Sequence, residues 1–282
     1  MNRLCNEDRA RVVSCLVEGN SIRSTVRMTG VAKNTVTKLL VDVGRACSEY
    51  QDQAMRNLPC KRIQCDEIWS FCYAKDKNVP QSMRGRGAGS VWTWTALCPD
   101  TKLIPCWFIG DRSAGSAYHF MHDLQGRLAN RVQLTTDGHD AYRPAVEDAF
   151  GCQIDYAMLI KIYGSDNVNK KPAEVRYSPA QCMGARKAVI TGRPEIRHIS
   201  TSHTERQNLS MRMGMRRFTR LTNAFSKKLE NHEHAVALYF MYYNFARIHQ
   251  TLRVTPAMEA GIADHVWGLE EIVGLLEKKG GE

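Results

Sequence analysis

Lys61-Arg-Ile-Gln-Cys-Asp-Glu-Ile-Trp-Ser-Phe-Cys-Tyr73 is the stretch from which the fold follows. It is rich in β-forming residues and largely apolar, so it predicts a central, buried strand. It also carries two adjacent acids, Asp66 and Glu67, which are costly inside a core unless they are paired or bound to a metal ion. Because side chains alternate across a strand, we expect only one of the two to face a shared site. The alternative for Asp66 is an exposed strand end.

The next segments predict an antiparallel meander. A polar, Gly- and Arg-rich loop over residues 75–88 leads to a second strand at 90–98, and a third follows at 103–109. Pro105 lacks an amide hydrogen and therefore predicts an edge position for the third strand. Further along, the pattern predicts helix 113–129 with Ser113 as its cap, strand 131–137, helix 139–150 and strand 153–160. The sequence thus predicts an α/β fold, with a mixed five-stranded sheet and flanking helices.

The fourth predicted strand ends in Asp137 and Gly138. A carboxylate at the carboxyl end of a strand, followed by a glycine that permits a sharp turn, is a common active-site placement in open α/β sheets. The alternative is a simple Asp-Gly turn without function.

A late helix starting near Ser202 is predicted to carry Glu205 on its first turn. Arg212 follows seven positions later, which is two helical turns and so the same face. Basic residues continue at Arg216, Arg217 and Arg220. An acid set among cations is what a metal-dependent nuclease or strand transferase needs, because the acid holds a divalent ion and the cations hold the phosphate backbone.

Charge is distributed unevenly along the chain. The formal net charge is +10, residues 61–160 are neutral, and residues 161–228 alone have a net charge of +11. Such a one-sided block indicates a nucleic-acid surface, with a solvated basic face as the alternative. Within it, residues 164–200 show little periodicity, so we expect a functional insertion that is mobile until DNA is bound. A strongly apolar helix is predicted at about 229–247.

The N-terminal region has the pattern of a helix-turn-helix domain. A helix at 6–18 with Asn6 as its cap is followed by a short helix capped by Ser21, a turn at Gly30, and a third helix that runs from Lys33 towards Met55. The side chains expected to face DNA are Lys33, Asn34, Thr37 and Lys38. The alternative is a three-helix bundle that only packs.

Proline at position 59 stops the third helix and places a domain boundary there. The predicted organisation is a helix-turn-helix domain at 1–58, a catalytic domain at 59–262 that contains the basic insertion 164–200, and a helical tail at 263–282.

Composition excludes several classes of protein. No apolar run approaches the roughly 20 residues that span a bilayer, and the N-terminus has no signal-peptide core, so we expect a cytoplasmic, nucleoid-associated protein with no membrane partner. The ten cysteines form no Cys-x-x-Cys pair, and the histidines form no His-Glu-x-x-His motif. No zinc site is therefore expected.

Together, Asp66, Asp137 and Glu205 are the candidate catalytic and metal-binding residues. The order of elements is that of a ribonuclease-H-like fold, in which the first and fourth strands are neighbours, so we expect the three carboxylates to converge. Three carboxylates can hold two Mg²⁺ or Mn²⁺ ions about 3.5–4 Å apart for in-line displacement at phosphorus. Whether Glu67 or His139 assists the ions stays open.

The three acids, with Arg212 seven residues after the last, resemble the Asp-Asp-Glu set of transposases and retroviral integrases. More closely, four segments in order resemble the transposases of the insertion sequence one family: Cys-Asp-Glu-Ile-Trp-Ser-Phe (65–71), Thr-Asp-Gly-His-Asp-Ala-Tyr (136–142), Thr-Glu-Arg-Gln-Asn-Leu (204–209) and Tyr-Asn-Phe-Ala-Arg-Ile-His-Gln-Thr-Leu-Arg-Val-Thr-Pro-Ala (243–257). Some members of that family carry a Cys-rich zinc finger before the helix-turn-helix, and this chain has none.

The resemblance implies a DNA transposase whose N-terminal region binds the terminal inverted repeats of a mobile element. It also implies cleavage and joining of double-stranded DNA, both element ends and target, by a homo-oligomer of at least two protomers. Two alternatives remain: a ribonuclease-H-like nuclease that only cuts, and a DNA-binding regulator with an inactive catalytic core.

Overall fold

The structure, a computed structural model, describes residues 4–164, 182–219 and 223–277 of the chain. Strands in these ranges are β1 Arg62–Cys72, β2 Gly89–Leu97, β3 Trp107–Gly110, β4 Gln133–Asp137, β5 Asp155–Tyr163 and β6 Cys182–Thr191. Helices are α1 Asn6–Val17, α2 Ile22–Thr29, α3 Lys33–Ala54, α4 Ala114–Gln125, α5 Tyr142–Phe150, α6 Ser202–Gly214, α7 Leu229–Met241, α8 Pro256–Glu259 and α9 Leu269–Gly274. A π-helix, Tyr242–Ala246, extends α7.

The six described strands form one mixed sheet in the order β3-β2-β1-β4-β5-β6. The pairs β3–β2, β2–β1 and β5–β6 are antiparallel, whereas β1–β4 and β4–β5 are parallel. The predictions of a buried central first strand, an antiparallel meander and an edge position for the third strand are therefore confirmed.

The sheet has one strand more than predicted. β6 lies inside the segment 164–200, which we expected to be a structureless insertion, and it pairs with β5 along most of its length. Most of its side chains are exposed. Because neither face of β6 packs on the core, its sequence lacks the alternation by which strands are recognised. The rest of the predicted insertion, residues 165–181, falls outside the described residues.

The third strand is shorter than predicted: β3 begins at Trp107, although Cys106 O still accepts from Ala96 N (3.2 Å) and Leu103 O from Cys98 N (2.9 Å). Pro105 has no amide hydrogen to contribute. The backbone of Ile104 pairs instead with the Asn244 amide, which accepts from Ile104 N (3.0 Å) and donates to Ile104 O (3.1 Å). The buried side chain of Asn244 thus takes the place of a further strand at this edge of the sheet and satisfies the backbone of Ile104.

Two layers of helices cover the sheet, and Trp94 and Asp66 show which layer lies on which face. Trp94 contacts Phe120 of α4 and Tyr142 of α5. Asp66, on the opposite face, accepts a hydrogen bond from Asn208 of α6. The sheet therefore separates an α4/α5 layer from α6.

The N-terminal helices begin and end close to where the sequence predicts. Ser21 caps α2 by accepting from Ser24 N (3.0 Å), and Gly30 ends it with a φ of 73°. The cap of α1 is the sulfur of Cys5 rather than Asn6, which is the first helical residue. No helix in the described part of the chain is long and apolar enough to cross a membrane.

Helix α3 packs tightly on α7, so α1–α3 share one hydrophobic core with the sheet. At the crossing, a Cβ added to Gly44 would lie 2.4 Å from His234 O. The Gln51 amide donates to Ala237 O at 3.1 Å. The domain boundary at Pro59 stays a prediction, and the contact across it means that deleting residues 1–58 would expose the apolar face of α7.

Replacing Gly44 with alanine should lower the free energy of unfolding by about 2 kcal/mol or more, because the new methyl group meets backbone that a side-chain rotation cannot move. Gly274→Ala is the matched control, since a Cβ at this helical glycine meets nothing within 4 Å. Urea unfolding followed by circular dichroism measures both. Equal stability of the two variants would contradict the described α3–α7 packing.

Candidate metal centre and basic groove

The parallel pairing of β1 with β4 brings the first two predicted acids together. Cys65 pairs with Thr136, so Asp66 and Asp137 are the next residues of two adjacent strands. One carboxylate oxygen from each of Asp66, Glu67 and Asp137 lies within 4.8 Å of the other two. Asp66 and Asp137, two of the three acids predicted from the sequence, therefore lie close together.

The expectation that only one of Asp66 and Glu67 can face a shared site is wrong. Glu67 does point to the opposite face, where the Tyr142 hydroxyl donates to its Oε2 at 3.1 Å. However, β4 ends at Asp137, so the strand ladder no longer separates the two faces beyond that residue. Arg112 shows that the faces meet there: it donates to Glu67 Oε1 (2.7 Å) and lies 3.8 Å from Asp137 Oδ2.

Specific hydrogen bonds hold the two aspartates. Asp66 accepts from the Glu67 amide (2.9 Å) and from the Asn208 side chain (2.8 Å). Asp137 accepts from the His139 amide at 3.1 Å. The His139 ring packs against Trp94 and Tyr142, and its buried Nε2 has no hydrogen-bond partner among the described residues.

Glu205 lies on the first turn of α6 but is not a member of the carboxylate cluster. Its Oε1 accepts from the Thr201 hydroxyl (2.5 Å) and pairs with Lys161 Nζ (2.7 Å). Asn208, one turn further along α6, is the residue that reaches Asp66. The structure thus places Glu205 on the neighbouring helix, beside the other two acids, with a lysine as its partner.

The three carboxylates of Asp66, Glu67 and Asp137 concentrate negative charge in a partly buried site. Burial, followed by repulsion from Asp137 and Glu67, raises the pKa of Asp66 to about 7. Burial and the charge of Asp137 also raise the pKa of Glu67, against the opposing effect of Arg112. Burial and the neighbouring Arg112 lower the pKa of His139. A divalent cation would relieve this repulsion, and a set of carboxylate oxygens suits Mg²⁺ or Mn²⁺.

The predicted DNA-facing residues of α3 are mostly accessible. Lys33, Asn34 and Lys38 are exposed, and Lys38 pairs with Asp42 at 2.5 Å. Thr37 is half-buried, and its hydroxyl donates to Lys33 O.

The predicted arginines after Glu205 differ in exposure. Arg216 is exposed and Arg212 is half-buried. Arg217 is half-buried and donates to Ser226 Oγ at 2.5 Å. Arg217 thus has a structural partner that the basic pattern did not indicate. Arg220 lies outside the described residues.

The start of α3 and the segment after α6 line one groove. Its described lining residues include seven cations and one acid: Arg23, Lys33, Lys38, Arg216, Arg217, Lys227, Lys228 and Glu230. Two basic regions that are about 180 residues apart in the sequence therefore form a continuous surface, which we call the basic groove. Its charge suits a polyanion.

Sequence reasoning missed Arg112, Lys161 and Asn208. Asn208 could have been found, because it is three positions after Glu205 on the same helical face. Arg112 and Lys161 carry no comparable signal, since their approach to the acids depends on strand register. A scan against models of known protein families finds no match, and a search of curated proteins finds no similar sequence. The functional argument therefore depends on the fold and the site.

Replacing Asp66 with asparagine should stabilise the metal-free chain at pH 8. The pKa of Asp66 rises from 3.8 to about 7 on folding, so between these pH values the folded chain binds more protons than the unfolded chain, and stability is lost as the pH rises. At about 1.4 kcal/mol per pKa unit, this rise corresponds to a gain on the order of 4 kcal/mol at pH 8 and little gain at pH 4.

Urea unfolding in EDTA at both pH values measures this gain. The control is Asp140→Asn, which removes an exposed carboxylate close by in the sequence and should leave the pH dependence intact. An Asp66→Asn variant that loses as much stability with rising pH as the wild type would contradict the electrostatic description of the cluster.

Proposed function

We propose that the chain is a DNA transposase, which binds the ends of a mobile element and cleaves and joins DNA strands with divalent metal ions. The observation that carries this proposal is the meeting of Asp66 and Asp137 at the carboxyl ends of the parallel strands β1 and β4. Glu205 on α6 lies over the same face, one helical turn from a contact to Asp66. Three of the four segments that resemble the insertion sequence one family each contain one of these acids.

The sheet supports a ribonuclease-H-like catalytic domain. The run β3-β2-β1-β4-β5 has three antiparallel strands followed by two parallel ones, with the first and fourth strands adjacent. In this interpretation β6 is an extension at the edge. The acids then lie at the end of the central strand pair, where such a fold would have its active site.

Asp66 and Asp137 would hold the metal ions, and Glu205 would complete the set. When bound, a pair of Mg²⁺ or Mn²⁺ ions would supply activation of a water or a 3′-hydroxyl for attack on phosphorus and stabilisation of the leaving oxygen. Glu67 has a different role in this proposal, because Arg112 and Tyr142 already occupy its two oxygens. It positions Arg112 beside Asp137, and Asn208 orients Asp66.

DNA binding is supported by the basic groove and by the α2-turn-α3 arrangement, whose exposed side chains at the start of α3 have the placement of a recognition helix. Joining two element ends to a target requires at least two protomers, so the proposal includes a homo-oligomer on DNA.

The proposal is tested with Asp66→Asn, Asp137→Asn and Glu205→Gln in a cleavage and strand-transfer assay with end-containing DNA and Mg²⁺. Each variant should lose more than about a hundredfold in activity, because each removes a metal ligand. DNA binding should remain, since none of the three acids lines the basic groove. Asp140→Asn is the control that should stay active.

The outcomes separate the candidate functions. Joining by any of the three variants would contradict the assignment of that acid. Cutting without joining by the wild type would favour the nuclease, and specific binding without cutting would favour a regulator with an inactive core.

The groove is tested through the salt dependence of DNA binding. Lys33 and Lys228 come from the two basic regions that line the groove. Lys33→Ala and Lys228→Ala should each reduce the slope of log affinity against log salt by about one. Lys77→Ala is the charge-matched control, because Lys77 is exposed but does not line the groove. If both groove variants kept the wild-type slope, the groove would not be the DNA surface.

A further inference from the structure

Lys161 lies on the same face of the sheet as the proposed metal ligands. Leu159 of β5 pairs with Asp137 of β4, and Lys161 is two residues further along β5. Side chains two apart share a face, so Lys161 and Asp137 project to the same side. β4 ends at Asp137, so Lys161 has no neighbouring residue on that strand. On its other side, Lys161 pairs with the small residue Ala185 of β6.

The ammonium of Lys161 pairs with Glu205. Lys161 Nζ lies 2.7 Å from Glu205 Oε1, the oxygen that also accepts from Thr201. Burial alone would lower the pKa of Lys161, but the hydrogen bond and the charge of Glu205 raise it, with a further contribution from Asp66. Lys161 is therefore a cation at neutral pH and lies within the field of two of the three acids.

The pair is weak enough to exchange. The side chains of Lys161 and Glu205 are 31% and 39% exposed, and ion pairs of that exposure are usually weak. An ion held by Asp66 and Asp137 carries twice the charge of an ammonium, so it attracts the Glu205 carboxylate more strongly at a similar distance.

Resting on the proposed function, we infer that Lys161 competes with the metal ions for Glu205. Without metal, Lys161 holds Glu205 beside, but outside, the Asp66–Asp137 pair. When an ion is bound, Glu205 turns to it and the ammonium of Lys161 is released next to the site. There it contacts a phosphate of the DNA, so metal loading and substrate binding strengthen each other.

The first test is metal binding by the full-length chain without DNA, measured from the electron paramagnetic resonance signal of free Mn²⁺. Lys161→Gln should bind Mn²⁺ about two- to fivefold more tightly than the wild type, the ratio that corresponds to loss of a partly exposed ion pair. Lys187→Gln is the control. Lys187 lies on β6 opposite Leu159, but it donates to Ile196 O and not to a carboxylate, so its loss should leave the affinity unchanged.

A double-mutant cycle isolates the pair. Glu205→Gln should weaken Mn²⁺ binding, and in that background Lys161→Gln should have no further effect. If Lys161→Gln increased the Mn²⁺ affinity by the same factor in the wild-type and Glu205→Gln backgrounds, Lys161 would act only through the overall charge of the site. That result would overturn the inference.

The second test is DNA affinity against salt, in EDTA and in Ca²⁺, an oxygen-seeking cation. In Ca²⁺, Lys161→Gln should reduce the slope by about one, because the released ammonium contacts phosphate. In EDTA the slope should equal that of the wild type, because Lys161 is then held by Glu205.

The two proposals fail differently. If Mn²⁺ binding depends on Asp66 but the Lys161→Gln variant binds Mn²⁺ no more tightly than the wild type, the role of Lys161 is overturned. The proposed metal site then still stands. If the wild type binds no Mn²⁺ in an Asp66-dependent way, the proposed function fails and the inference fails with it.

Discussion

The repulsion among carboxylates at the end of the β1–β4 pair is the constraint on which the site depends. Asp66, Glu67 and Asp137 lie within 4.8 Å of one another, and such a cluster is destabilising unless cations and hydrogen-bond donors surround it. Arg112 donates to Glu67 on one face of the sheet, and Asn208 donates to Asp66 on the other. The fold thus tolerates a concentration of negative charge that raises the pKa of Asp66 and of Glu67, and perturbed carboxylates of this kind are common at functional sites.

The shortness of β4 explains how side chains from both faces reach this cluster. A longer fourth strand would place backbone between Glu67 and Asp137, and Arg112 would then serve only one of them. β4 stops at Asp137. On one face of the sheet, Tyr142 of the α4/α5 layer therefore donates to Glu67, and on the opposite face Asn208 of α6 donates to Asp66. The neighbouring strand β5 continues, and this places Lys161 at the same edge.

Residues whose signals are local could be predicted from the sequence. The apolar run of β1, the Asp-Gly end of β4 and the capped helices each depend on a few neighbouring residues, and the structure has them close to where they were expected. The adjacency of Asp66 and Asp137 needed a fold-level expectation, since nothing local indicates that β1 lies beside β4. β6 was missed because an exposed edge strand has no apolar alternation, and the position of Glu67 in the cluster was missed because it depends on where another strand ends.

Helix α6 connects the proposed metal centre with the basic groove, and this has a mechanical consequence. Glu205 is on the first turn of α6, whereas Met215 and Arg216, immediately after the helix, line the groove. The nine steps from Glu205 to Gly214, the last residue of α6, span roughly 14 Å at 1.5 Å per residue, which is a distance of a few nucleotides. A DNA backbone held in the groove would therefore be presented to the acids at a separation fixed by the helix. Fixed positioning of this kind lowers the barrier to phosphoryl transfer, and it requires no movement of the sheet.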